Sequence, residues 1–243
     1  MVAVVWQLLF ARSYHVSVPW PATFLLAISV WIIYAADRLL DGLVSTPCTP
    51  RHRFHRSHLT TFVLCMGICI LSALLLLLTR VDAGVRSAGM PMLSAMAGYF
   101  ALVHAAPRAW QKYWPKELAM GILFALGTCL PVYAESPKDG PAMLPPLALF
   151  AALCWINAVA IDRWERDEAV AWLLPVALLA GGLALSLSLT GNHPWLYRAA
   201  GLAAASLAWL ARPRERIAPE KRRVLADAVL AAPALSALLV LLR

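Results

Sequence analysis

Apolar stretches recur along the chain, separated by short clusters of charged and turn-forming residues. They fall at roughly 1–11, 20–42, 59–79, 87–105, 117–134, 142–163, 169–189, 194–211 and 223–242. Eight of the nine approach the ~20 residues that a helix needs to cross bilayer hydrocarbon. In lipid every backbone N–H and C=O must find an internal partner, so such segments are helices and not open strands. The pattern predicts an all-α integral membrane protein of about nine transmembrane helices, forming one polytopic domain over 1–243. The first segment is too short to span. It lacks the charged n-region and small-residue cleavage site of a signal peptide, and reads instead as a truncated helix or one that penetrates partway.

Composition agrees with that class. Hydrophobic residues make up 61% of the 243 and charged residues 14%, more apolar surface than a soluble domain can bury. The net charge of +8 is then a topology signal and an attraction to anionic headgroups, not nucleic-acid affinity. Fifteen basic residues, from Arg38 to Arg223, fall in or beside the loops after segments 2, 4, 6 and 8, against six on the other side. Those loops are therefore expected in the cytoplasm, with the N-terminus inside and the C-terminus outside. Segments 2 and 6 each end in Asp-Arg, and segments 5 and 9 are each preceded by proline, lysine and glutamate, a faint echo that would divide the chain into four-helix halves at about 20–134 and 142–242. Cys48, Cys65, Cys69, Cys129 and Cys154 show neither a paired framework nor zinc spacing.

Carboxylates inside apolar segments carry the chemistry. Asp37 and Asp41 close segment 2, and their i, i+4 spacing puts them on one helical face, about 6 Å apart at Cβ. An acid at a helix C-terminus opposes the helix dipole, so a compensating cation or metal is expected beside it. Two hard oxygen ligands so placed suit Mg²⁺, which usually arrives with substrate phosphates; an interfacial cap with Arg38 as counter-charge is the plainer reading. A second cluster ends segment 6, where Asn157 lies deep and Asp162 and Glu165 are i, i+3 neighbours. Asp167 and Glu168 read as solvated loop acids.

Cations stand close by. Tyr113, Lys116 and Glu117 open segment 5, where the lysine either meets an anion or anchors the helix in the cytoplasm. The run Arg51-His-Arg-Phe-His-Arg-Ser-His58 offers Arg53 and Arg56 to a headgroup or diphosphate, since arginine grips phosphate bidentately. Asp227, four residues after Arg223, is either its local ion-pair partner or a cavity-facing acid. Tryptophans such as Trp31 and Trp155 are interfacial anchors or lining for a prenyl pocket.

This arrangement resembles the UbiA superfamily of intramembrane prenyltransferases, as a divergent member, over nearly the whole chain. The family's first motif is Asn-Asp-x-x-Asp-x-x-x-Asp. Its last two acids match Asp37 and Asp41, while Ile33 and Tyr34 stand at the leading positions. The second motif, an Asp-x-x-x-Asp run, is met by Asp162 with Arg166 four residues on and acids at Glu165 and Asp167. The resemblance implies a helical ring around a central cavity open to the cytoplasm and to lipid. It implies Mg²⁺ held by Asp37, Asp41, Asp162 and Glu165, with Asn157, Asp227 and Tyr113 as supporting polar groups. Arg38, Lys116, Arg53 and Arg56 would bind the diphosphate of a prenyl donor, whose isoprenyl group passes to a lipophilic or aromatic acceptor in a membrane, a bacterial inner membrane by expectation.

Two other readings follow from the same residues. The departures from both motifs allow a catalytically inactive UbiA-like protein that binds isoprenoid lipid or a partner. A small transporter using Asp37, Asn157 and Asp227 lacks the paired broken helices such folds carry. CDP-alcohol phosphotransferase chemistry needs Asp-Gly-x-x-Ala-Arg, and Asp41-Gly42 is followed by Leu43-Val44-Ser45-Thr46.

Overall fold

The computed structural model describes residues 1–44, 58–105, 116–166, 172–211 and 219–242, with backbone alone at 38, 41–44, 105, 165, 219 and 220. The described residues form nine α-helices: α1 (Val2–Ser13), α2 (Trp20–Val44), α3 (Leu59–Thr79), α4 (Ala83–Ala105), α5 (Lys116–Glu135), α6 (Gly140–Glu165), α7 (Leu173–Thr190), α8 (Pro194–Leu210) and α9 (Pro219–Leu241). A single 3₁₀ turn, Pro137–Asp139, joins α5 to α6. Each helix answers one of the nine apolar segments.

Six helices are long and apolar enough to cross a membrane: α2, α3, α5, α6, α7 and α9. That is two fewer than the hydropathy pattern predicts. At 17 residues α8 is short of a span, and α4 is diluted by Arg86, Ser87, Pro91 and Ser94. The protein is therefore an integral membrane protein, and most of its exposed large hydrophobic side chains, among the described residues, are leucine, isoleucine and valine.

The packed core lies to one side. Helix α1 rests against α9, α5, α2 and α8, and Trp6, Leu9 and Phe10 are almost wholly buried. Far from being marginal, the short first segment is the post around which α5, α6, α8 and α9 gather. Trp6 stacks on Phe150 of α6 at 4.3 Å between ring centroids and donates through Nε1 to the Leu230 carbonyl of α9 at 3.0 Å. Tyr14, just past α1, donates its hydroxyl to the Ala142 carbonyl at 2.8 Å. That carbonyl is the one Pro146, four residues later and lacking an N–H, cannot serve. Helices in lipid associate through close packing of small residues. Accordingly Gly181 of α7 meets Ala204 and Gly201 of α8, and Gly121 of α5 lies against the backbone of Ala151 and Trp155 in α6.

Helices α2 to α4 form a looser wall. Helix α3 buries none of its residues and packs chiefly on α2, whereas α4 packs chiefly on α5. Between this wall and the core is a hollow of about 780 Å³.

Candidate functional site

The hollow is lined by α2, α3, α4, α5, α6 and α9, with Val2 of α1. Along α2 its lining runs from Ala22 to Asp37, about 22 Å at 1.5 Å per residue, which is most of the ~30 Å hydrocarbon thickness. Its middle is apolar, with Leu26, Val30, Leu74, Met96, Phe124 and Leu130. The aromatic lining comes from Tyr34, Tyr99 and Phe124, and among the described residues no tryptophan contributes. Trp155 instead lies against Trp172, 6.0 Å between rings. Arg86 of α4 marks the far end.

The near end is polar because helices of opposite direction meet there. Helices α2 and α6 finish at this end, bringing Asp37 and Asp162, while α5 and α9 begin, bringing Lys116 and Arg223. Two layers result. The outer one holds Asp37, Lys116, Glu117, Asp162, Tyr34 and Arg223. Asn157 precedes Asp162 by five residues and Asp227 follows Arg223 by four, which puts both about 6–7.5 Å deeper along their helices.

Each of the four described acids at this end, Asp37, Glu117, Asp162 and Asp227, has a nitrogen neighbour. Asp37 Oδ1 is 3.7 Å from Nε2 of His104, in the last turn of α4, and both side chains are largely sheltered. His104 stacks on Phe100 at 5.6 Å. An imidazole therefore stands beside this acid at the C-terminal end of α2. Asp162 pairs with Arg166, one turn on. Lys116 Nζ lies 3.8 Å from Glu117. In the deeper layer Asn157 Nδ2 donates to Asp227 Oδ1 at 3.4 Å. Arg223 donates to the Tyr34 hydroxyl at 2.8 Å and stands over the Tyr34 ring, 5.7 Å from its centroid. This contact links α2 to α9 across the polar end.

Of the residues singled out in the sequence, Asp37, Lys116, Asn157, Asp162 and Asp227 thus line one hollow. Arg53, Arg56 and Tyr113 lie outside the described residues. Arg38, Asp41 and Glu165 lie on helical backbone, with side chains outside the description. Of the two readings of Asp227, ion-pair partner of Arg223 or cavity-facing acid, the structure has it lining the hollow and hydrogen-bonded to Asn157, while the Arg223 guanidinium donates to Tyr34. His104, the partnering of Tyr34 and the role of Arg223 were not foreseen from the sequence. Helical phase is a signal for two of them: Tyr34 precedes Asp37 by one turn, and Arg223 precedes Asp227 by one turn.

Magnesium is the ion the sequence resemblance implies. Among the described residues no three His, Cys, Asp or Glu side chains come together to hold a metal ion. Asp37 and Asp162 share the hollow but face His104 and Arg166 respectively. Of the four acids that the resemblance assigns to Mg²⁺, the side chains of Asp37 and Asp162 alone fall within the described residues, and no chemical step below passes through the ion.

No family model, no curated protein and no solved structure matches this chain.

Proposed function

We propose that the protein transfers an isoprenyl group from a prenyl diphosphate to a lipophilic or aromatic acceptor within the membrane, in the manner of the UbiA superfamily. One observation carries the reading: a long apolar hollow of about 780 Å³ ends in a layer that mixes Lys116 and Arg223 with Asp37 and Asp162. The apolar length suits a hydrocarbon chain, and the size lies within the range of ligand cavities. The cationic end suits its diphosphate. By the positive-inside rule that end faces the cytoplasm, where soluble diphosphates are found.

The chemistry follows from this polarity. The bond between the prenyl C1 and the diphosphate oxygen breaks, and its electron pair departs with the diphosphate. Lys116 and Arg223 stabilise the charge that builds there, in surroundings drier than bulk water. Apolar walls keep water from the allylic cation. A nucleophilic atom of the acceptor then bonds to C1 and loses its proton.

The test is transfer from a radiolabelled prenyl diphosphate in purified, lipid-reconstituted protein, with Asp37→Ala and Asp162→Ala alongside. Product from the wild type and none from the variants supports the reading. Undiminished product in both variants removes these acids from the reaction. Chelation with EDTA, followed by return of Mg²⁺, shows whether transfer needs the ion, and Asp41→Ala and Glu165→Ala show whether these acids help to hold it.

A second reading has its own support. Tyr34, engaged with Arg223, occupies a motif position where the family carries an acid. A non-catalytic isoprenoid-binding protein would carry such a replacement. Thermal stabilisation by a prenyl diphosphate without turnover supports this reading, whereas any prenylated product excludes it.

A further inference from the structure

Arg86 stands where an arginine is costly. It lines the hollow at the end opposite Asp37 and Lys116, about one turn inside α4, and is half-buried. A guanidinium that only anchors a helix reaches out to the lipid headgroups. Arg80, exposed before α4 and no part of the lining, is an anchor of that kind. Arg86 carries five N–H donors, and its partner among the described residues is the Leu78 carbonyl at the end of α3, 3.4 Å from Nη1. No described acid pairs with it. Asp82, one turn earlier, is exposed, and the four acids on the lining, Asp37, Glu117, Asp162 and Asp227, are all at the other end. An ionisable group facing an intramembrane hollow points to a partner there, and the described protein supplies a single neutral one.

Between the two cationic ends the lining suits hydrocarbon. Along α4 it runs from Val85 to Val103, about 27 Å at 1.5 Å per residue. Leu74 of α3 and Met90 and Leu93 of α4 belong to the lining and are about half exposed or more. These two helices pack chiefly on α2 and α5 and not on each other, which leaves a lipid chain a way in from the side.

We propose that Arg86 is the headgroup subsite for an anionic phospholipid of the leaflet at that end, with an acyl chain of the lipid lying in the neighbouring half of the hollow. Arginine meets a phosphate through two parallel N–H bonds, and beside apolar walls the attraction is stronger than in bulk water. The preference for a net negative charge follows from the lining. The ammonium of a zwitterionic lipid needs an acid, and no described acid lines this end; beside Arg86 it meets a like charge. The inference goes beyond the prenyl-transfer reading and stands without it. Its one link to that reading is competition, because a prenyl chain entering from the Lys116 end and an acyl chain entering from the Arg86 end fill the same apolar length.

Photoactivatable phosphatidylglycerol and phosphatidylcholine, each with a diazirine at the end of one acyl chain, test this on the full chain in phosphatidylcholine nanodiscs. Mass spectrometry of the peptides locates the label. Phosphatidylglycerol should label lining residues of α4 and α5, such as Met96 and Phe124, about tenfold more than phosphatidylcholine, the worth of a charge-assisted hydrogen bond. Arg86→Gln should remove that excess and Arg80→Gln should leave it unchanged. Arg86→Lys should keep most of it, which ties the loss to charge and not to a misfolded variant. Equal labelling of the hollow by the two lipids, an excess that survives Arg86→Gln, or an equal loss in Arg80→Gln overturns the subsite. So does suppression of the label by glycerol phosphate, which would assign Arg86 to a soluble anion. Geranylgeranyl thiolodiphosphate should suppress the label as it fills the hollow. A label that it leaves untouched, with the excess still dependent on Arg86, removes the prenyl-transfer reading and leaves the lipid subsite standing.

Discussion

Replacing Gly121 by alanine should push α5 and α6 apart and damage the hollow at its polar end. A Cβ built on Gly121 would lie 2.7 Å from the Trp155 backbone nitrogen and 3.0 Å from both the Ala151 carbonyl oxygen and Trp155 Cα. Ordinary non-bonded contacts sit near 3.5–4.0 Å, so relief takes a separation of roughly 0.5–1 Å. The obstacles are backbone atoms of a packed helix, which cannot swing aside as a flexible side chain can. Overpacking of this kind costs about 1–3 kcal/mol. For a chain of this size each kcal/mol lowers Tm by roughly 2–4 °C, so Gly121→Ala should melt about 2–12 °C below the wild type. Helix α5 also carries Lys116 and α6 carries Asn157 and Asp162, so affinity for a prenyl diphosphate should fall with it. Gly182→Ala is the control, because no atom lies within 4 Å of its added carbon. There the gain in helix propensity, up to about 1 kcal/mol, acts alone. Thermal melts of both variants in one detergent decide the matter. A Gly121→Ala protein as stable as the wild type, or a matching loss in Gly182→Ala, refutes the close α5–α6 approach.

Arg223→Met should weaken binding of a prenyl thiolodiphosphate about tenfold or more, the worth of a charge-assisted hydrogen bond, while Tyr34→Phe, which keeps the ring under the guanidinium, should change it far less; titration calorimetry separates the two, and wild-type affinity in Arg223→Met denies that cation a part. Tyr14→Phe should cost about 1–3 kcal/mol by leaving the Ala142 carbonyl without a donor. In a Pro146→Ala background the new N–H serves that carbonyl, so the same substitution should cost clearly less, and an unchanged cost in the double-mutant cycle rejects the pairing. Near the turn between α7 and α8, His193 packs on the Tyr14 ring at 3.9 Å. Burial holds its imidazole below the ordinary histidine range, outweighing the Ser13 backbone hydrogen bond that pulls the other way. Around pH 6.5 and just below, the unfolded chain thus binds a proton that the folded protein resists. Stability should fall as pH drops through that window, and the slope of Tm against pH should flatten in His193→Gln.

How much of this was legible in the linear chain can be argued residue by residue. Hydropathy period and loop charge are local properties, so nine helices, the membrane as solvent and the helix ends that carry Asp37, Lys116 and Asp162 could all be read directly. The importance of α1 could not. Its 12 residues are short of a span, and only the surrounding helices reveal that Trp6, Leu9 and Phe10 form the buried post of the core. The pairing of Tyr34 with Arg223, 189 positions apart, and of Asn157 with Asp227, 70 apart, was equally hidden.

The physical reason is rotational. A one-dimensional pattern states that a segment is a helix and which end carries charge, but the angle each helix takes about its own axis is set by its neighbours. Here that angle is settled by small-residue contacts, Gly121 against α6 and Gly181 against Gly201, and by the Trp6 and Tyr14 hydrogen bonds. The sequence by itself determined the kind of molecule, its helices and the chemistry available at their ends. Only the tertiary structure decided which of those groups share a hollow, because that depends on packing among helices far apart in the chain.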